Sequence, residues 1–172
     1  MDKDRFYYDK KFLGGMSGRP LRILSEYLGP LSSMQKHKIK DTIVFFGSAR
    51  LKENDEYYQK AKKLAFSLTK WNMENFKKEH RYVITSGAGP GIMEAANKGA
   101  HEAGGKSIGL GISLPFEQTN NKFITKGLNF VYHYFFMRKF WFIYKTKGIV
   151  VWPGGMGTLD ELFDILTLLQ CK

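Results

Sequence analysis

Short apolar runs rich in β-branched and aromatic residues recur along this chain, separated by longer segments whose apolar residues return every three or four positions. The runs TIVFFG (42–47), RYVITSG (81–87), KSIGLGI (106–112), LNFVYHY (128–134) and GIVVW (148–152) predict strands. The helical spacing predicts helices over about 55–78, 91–104, 135–146 and 157–170, with a further one over about 20–36. The strands show no alternation of apolar and polar residues, so both faces of the sheet are expected to be covered. Strands of that kind, alternating with helices, make a parallel sheet with a helical layer on each side. The expected fold is therefore α/β, a Rossmann-like doubly wound, mostly parallel sheet. Polar ligands then belong at the carboxyl ends of the strands, which narrows the search to the turns at 47–48, 86–91, 111–121 and 153–158.

Residues 1–40, with GGMSGRP at 14–20, read as a flexible arm running into a helix, and 41–172 as the Rossmann-like domain. A chain of 172 residues, 43% hydrophobic and 15% aromatic, is long enough for one well-packed core and short for two. The helical period from Leu162 persists to Gln170, so either the sheet lacks a further strand or the chain is shortened. Cys171 is the single cysteine, which excludes an intrachain disulfide framework and favours a reducing compartment. The N-terminal MDKDRFYYDKKFLGG is too charged for a signal peptide, and no apolar run approaches membrane-spanning length. A cytoplasmic protein that makes no membrane contact is expected.

Charge changes the picture further. Twenty-seven Lys and Arg against 16 Asp and Glu give a net charge of +11, which favours an anionic partner. Basic runs at 36–40, 60–63 and 76–81 read as solvated faces, and no nucleic-acid motif of fixed spacing accompanies them, so RNA or DNA is a minor alternative.

Three stretches carry candidate chemistry. SGAGPGIMEAANKGA (86–100) places three glycines between a strand and a helix, a turn suited to close backbone approach by an anion. It is not GxGxxG, since position 92 is isoleucine, and a plain strand-to-helix turn is the lesser alternative. VWPGGMGTLDE (151–161) makes a similar turn. Thr158 and Glu161 fit a capping box, whereas Gly154, Gly155 and Gly157 bare the helix entrance more than a cap requires, as a phosphate site would. HYFFMRKFWFIYK (133–145) is aromatic enough for core or subunit interface. Within it, Arg138 and Lys139 oppose the dipole of the helix start, which calls either for a compensating anion or for snorkelling side chains.

Taken together, VFFGSAR (44–50), SGAGPGIMEAANKGA (86–100), GLGISLPFEQTNNKFI (109–124), MRK (137–139) and PGGMGTLDE (153–161) resemble the Lonely Guy (LOG) family, long labelled possible lysine decarboxylases. The resemblance runs over 42–170. PGGMGTLDE fits the family pattern PGGxGTxxE, and the 23 positions from Arg138 to Glu161 match the family's spacing of its catalytic arginine and glutamate. The 109–124 segment is worded more like the longer bacterial members than the compact plant enzymes.

The resemblance implies hydrolysis of the N-glycosidic bond of a nucleoside 5′-monophosphate, of the cytokinin riboside or AMP type, to free base and ribose 5-phosphate. Decarboxylation is not implied, because nothing marks a lysine for a Schiff base. By the same resemblance Arg138 and Glu161 are catalytic; Gly154, Gly155, Gly157 and Thr158 hold the 5′-phosphate; Lys139 adds positive potential. Thr167 meets the ligand, Ser48, Gly87 and Met137 line the pocket, and Glu117 or Asn121 meets base or ribose. No cofactor or metal is expected, and the four histidines show no ligand spacing. Family members continue into another strand and helix beyond the PGGxGTxxE helix, so a sheet edge is expected to be missing. They form dimers or larger assemblies, so a homodimer using the aromatic segment 135–144 is expected. The alternative from another class is a nucleotide-binding or sensor protein that holds the ligand without cleaving it.

Overall fold

The computed structural model describes residues 5–77, 79–113 and 121–171. Its elements in chain order are α1 (Lys10–Gly14), α2 (Arg19–Lys36), β1 (Thr42–Phe46), α3 (Glu56–Asn75), β2 (Val83–Ser86), α4 (Ile92–Glu102), β3 (Ser107–Ile112), β4 (Asn129–Tyr132), α5 (Phe135–Tyr144), β5 (Thr146–Val151) and α6 (Met156–Gln170). The five strands form one sheet in the order β4-β3-β2-β1-β5, and every pairing is parallel. The doubly wound α/β fold is thus as expected, with a sheet parallel throughout.

The strands lack alternation because both faces are covered. Val44 and Phe46 of β1 point into a cluster with Val83, Ile108, Leu110, Met137, Trp141 and Phe142, closed by α2, α5 and α6. Their neighbours Ile43 and Phe45 point the other way, against Ala65, Ala96 and Ala100 of α3 and α4. Small side chains on α3 and α4 let those helices lie close to the sheet and to each other. Along the chain the sheet grows outward from β1 to β4, then α5 carries it back to β5 on the far side of β1. The switch point of the topology therefore lies between β1 and β5, where a crevice opens beyond the strand ends.

The start of the chain departs from a flexible arm. Phe6–Tyr8 form a 3₁₀ turn and α1 follows, because the Asp9 side chain accepts hydrogen bonds from the N–H groups of Lys11 and Phe12. Arg22 of α2 then ties that segment down by donating to the carbonyls of Leu13 and, at 2.8 Å, Gly15. The apolar face of α2, with Ile23, Tyr27, Leu31 and Met34, packs into the core beneath the sheet. Basic residues on the other side of the molecule are largely solvated or paired, as in Lys60 with Glu56 and Lys62 with Glu102.

Three turns at the carboxyl ends are joined through main-chain groups. Ser48 N–H donates to the Pro153 carbonyl at 3.0 Å, and Ile92 N–H donates to the Ser48 carbonyl at 3.0 Å. Trp152 N–H donates to Phe46 at 2.9 Å. Gly91 makes this closeness possible: it has φ +67°, and a Cβ there would run into the carbonyl oxygen of Ser48. Replacing Gly91 by alanine is expected to lower stability by about 2 kcal/mol or more, since positive φ and the clash act together. Urea unfolding of the Gly91→Ala variant checks this, and an unchanged midpoint would contradict the account.

Candidate active site

The centre of the site is an ion pair between two helices. Arg138, from the first turns of α5, places Nη1 3.4 Å from Oε1 of Glu161 in α6. Both side chains are largely buried, at 14% and 16% exposure. The guanidinium is fixed from three further sides. Its Nε donates to the Leu110 carbonyl of β3 at 2.8 Å, its carbon lies 5.0 Å from the centre of the Phe142 ring, and Nη2 lies where Gly87 has no side chain. A Cβ on Gly87 would come within 2.6 Å of Nη2, so glycine at the end of β2 is what lets the arginine lie flat there.

The cations of α5 are compensated, as their position demanded. Lys139 donates to Asp160 and Asp164 of α6, each at 2.8 Å, and these hydrogen bonds, Asp160 first, hold the ammonium above its ordinary pKa. The N-terminus of α5 is met by Glu26 of α2, whose carboxylate accepts from His133 N–H at 2.8 Å and Tyr134 N–H at 3.3 Å. An acid at a helix start offsets part of what two cations in its first turns cost.

Glu161 behaves differently from its neighbours. It is packed among Phe46, Phe142, Ile143 and Ile165, in a cleft of about 10 Å³. Burial is the dominant influence and pushes its carboxyl up to about 7, although Arg138 pulls the other way. A carboxyl poised near neutrality can accept and return a proton, which is the property of a general acid or base.

The capping-box reading of the PGGMGTLDE turn is overturned. Helix α6 begins at Met156, with Gly155 as its N-cap in an extended conformation and no side chain capping it. Thr158 is therefore inside the first turn, and Glu161 turns to Arg138 and not back to the helix start. The physical reason is that the glycines allow the helix to begin three residues earlier than a threonine cap would set it. Thr158 is buried, and Gly154 lies directly against its hydroxyl, while Gly155 and Gly157 have open space where side chains would stand. The entrance of α6 is consequently a bare, positively polarised helix end.

The structure brings Arg138, Glu161 and Gly87 into contact, with Lys139 beside them, and joins Ser48 to the PGG turn through Pro153. Other expected residues stand elsewhere. Met137 is in the core between α2 and α5. Thr167 is exposed and its hydroxyl donates to the Phe163 carbonyl at 2.8 Å, roughly 9 Å along the helix axis from Glu161. Asn121 is buried, its amide donating to Asn97 Oδ1 at 2.9 Å, in a network that Ser86 joins at 2.6 Å. Glu117 lies outside the described residues. Sequence reasoning missed the Asp160 and Asp164 pair, although carboxylates four apart flanking Glu161 were visible. It also missed Asn97, a polar residue on the apolar face of α4.

With this geometry in place, comparison with known proteins adds a family. Residues 93–172 match the family described as "Possible lysine decarboxylase", the LOG family. The match spans just under half of the chain. The matched span contains Arg138, Glu161 and the whole PGGMGTLDE turn. A LOG relative, the cytokinin riboside 5′-monophosphate phosphoribohydrolase LOG3 of Arabidopsis thaliana, is 28% identical over 140 residues. That alignment covers 80% of this chain and 60% of the relative, so the chain spans less than two thirds of LOG3. Among solved structures, the molybdenum cofactor carrier protein of Chlamydomonas reinhardtii aligns with TM-score 0.53 and 22% identity, over 75% of this chain and 72% of that one. It bears on the fold alone. A structural-genomics target, TM1055, aligns at TM-score 0.48 and 24% identity, over 72% of this chain and 66% of its own.

The displaced carboxyl of Glu161 ties stability to pH. The folded chain holds this proton up to about pH 7, whereas an exposed glutamate releases it near 4.5. Between those values the folded state binds more protons than the unfolded one, so Glu161 lowers stability as pH rises through that window. At about 1.4 kcal/mol per pH unit of separation, the loss is on the order of 3 kcal/mol. Relative to Glu161→Gln, the native chain is expected to lose about 2 to 3 kcal/mol between pH 4.5 and 8, read by urea unfolding across pH. A difference that stays flat with pH would contradict the burial of an ionisable Glu161.

Proposed function

We propose that this protein hydrolyses the N-glycosidic bond of nucleoside 5′-monophosphates, releasing the free base and ribose 5-phosphate. The observation that carries the proposal is the buried Arg138–Glu161 pair, with a glutamate near neutrality, beside a helix entrance stripped of side chains. The similarity to LOG3, a phosphoribohydrolase by name, supports the same reading.

In this reading the 5′-phosphate sits at the start of α6, against the N–H groups and dipole of the helix and the Thr158 hydroxyl, with Gly154, Gly155 and Gly157 leaving the space. Cleavage develops positive charge on the ribose as the C1′–N bond lengthens. The ionised Glu161 carboxylate stabilises that charge and takes a proton from the attacking water. The water oxygen bonds to C1′, the bonding pair leaves with the base nitrogen, and the proton passes through Glu161 to the departing base or to solvent. Arg138 holds the substrate in register and limits how far burial can keep Glu161 protonated. Lys139, already engaged by two aspartates, contributes potential and the placement of α6. Ser48 and Gly87 form the walls nearest to these groups.

The test is release of free base and ribose 5-phosphate from a panel of nucleoside monophosphates. Turnover is expected in the native chain and is expected to fall about 100-fold or more in Glu161→Ala. Because the ionised carboxylate is the active form, kcat/KM is expected to rise with pH up to about 7 and then level. A nucleotide that binds without being cleaved would replace this reading with a binding or sensor protein.

The reading includes a homodimer. A trough of about 520 Å³ runs between α2 and α5, lined by Pro20, Ile23, Leu24, Tyr27, Phe136 and Phe140 and almost wholly apolar. Phe135 and Phe136 stand half exposed beside it. Light scattering is expected to give twice the mass of the chain, and Phe136→Asp to halve that value. A single-chain mass at every concentration would count against the dimer.

A further inference from the structure

Asn97 interrupts the apolar face of α4 with a fully buried amide, and the groups it holds lead to the candidate site. Its Nδ2 donates to the Ile108 carbonyl of β3 at 3.2 Å, while its Oδ1 accepts from the Ser86 hydroxyl at 2.6 Å and from the Asn121 amide at 2.9 Å. Because a carbonyl can only accept, the bond to Ile108 fixes which way the Asn97 amide faces. The Ser86 hydroxyl, itself fully buried, then gives its one proton to Asn97 and turns its lone pairs elsewhere. They meet the Ala88 N–H, which donates to Ser86 Oγ at 3.2 Å.

That bond shapes the turn after β2. Ala88 has φ +65°, a left-handed conformation that a residue with a Cβ adopts only at a cost. A side chain bonding to the backbone two residues on is what sustains such a turn. The Ala88 methyl is buried against β3, 3.0 Å from where a Cβ on Gly109 would stand and 3.7 Å from one on Gly111. Leu110, between those two glycines, supplies the carbonyl to which Arg138 Nε donates. Gly87, between Ser86 and Ala88, is the residue against which Arg138 Nη2 lies. The 86–88 turn therefore flanks the guanidinium directly and also packs over the strand that holds it.

We propose that Asn97 is a positioning residue for the candidate site: by orienting the Ser86 hydroxyl it holds 86–88 in its left-handed turn, and that turn sets where Arg138 meets Glu161. The kinetic part rests on the hydrolase reading, whereas the placement of Arg138 does not. Filling space alone would be served by an apolar side chain, as at Ala96 and Ala100 of the same helix, which pack against Phe45 and Ile84. An amide at 97 adds direction, which packing lacks.

Three variants test this. Ser86→Ala removes the hydroxyl with little change of shape, Asn97→Ala removes its anchor, and Ala100→Gly weakens α4 without touching either. The readout that needs no substrate is the Arg138 Nε–H signal in NMR of the isotopically labelled full chain, whose exchange with water reports the bond to Leu110. Exchange is expected to be about tenfold faster or more in Ser86→Ala and Asn97→Ala, and kcat/KM for the cleaved nucleotide about tenfold lower. Ala100→Gly is expected to unfold at lower urea concentration with both values native. Should Asn97→Ala fail to fold, Ser86→Ala decides alone. Native exchange or native kcat/KM in Ser86→Ala, or the same changes in Ala100→Gly, would overturn the proposal. If the native chain cleaves no nucleotide, the hydrolase reading falls, and the exchange rate by itself decides whether Asn97 positions Arg138.

Discussion

Arg138 is the residue on which the site's geometry depends. One guanidinium joins β3 through Leu110, α5 through Phe142 and α6 through Glu161, and it fits only because β2 ends in Gly87. Removing it would leave Glu161 buried without its compensating charge and the Leu110 carbonyl without its donor. The arginine is thus a strut between layers as well as, in the proposed reading, a group for a substrate. A planar fork with several donors can fill both roles at once, which a single ammonium could not.

Around this strut the charges are divided by burial. Lys139, Asp160 and Asp164 lie at the rim and neutralise one another in hydrogen-bonded pairs. Glu161 sits one step further in, among aromatic and branched aliphatic side chains, and there desolvation outweighs the attraction of Arg138. Two adjacent acids on one helix, Asp160 and Glu161, therefore serve different ends because successive positions on a helix face different surroundings. The same separation recurs at α5, whose start is neutralised by Glu26 from a different helix.

Much of this was legible in the sequence. The five strands and the helices between them were marked by apolar runs and helical period, because burial on both faces leaves an unambiguous signature. Arg138, Glu161 and the PGG turn were marked by spacing and family resemblance. What the sequence did not show was direction. Thr158 and Glu161 fit a cap that the glycines displace by three residues, and Met137, next to Arg138 in the chain, faces the core between α2 and α5. Asn97 and Asn121, far apart in sequence, meet in a buried network that no local pattern announces. The arm at the start looks loose in sequence because its glycines are visible there while the tie from Arg22 is not.

The three turns above the sheet grip one another through peptide groups of Phe46, Ser48, Ile92, Trp152 and Pro153, with the Ile92 side chain packed beside Gly47 and Trp152. Such a rim separates two tasks that many proteins entangle. Side chains at 49–50 or at the exposed Met156 can be exchanged without loosening the frame, so selection can reshape what the crevice admits while the fold stays intact. A scaffold of this kind diversifies readily: new ligand preferences arise by substitution on a platform whose rigidity does not depend on the residues being changed.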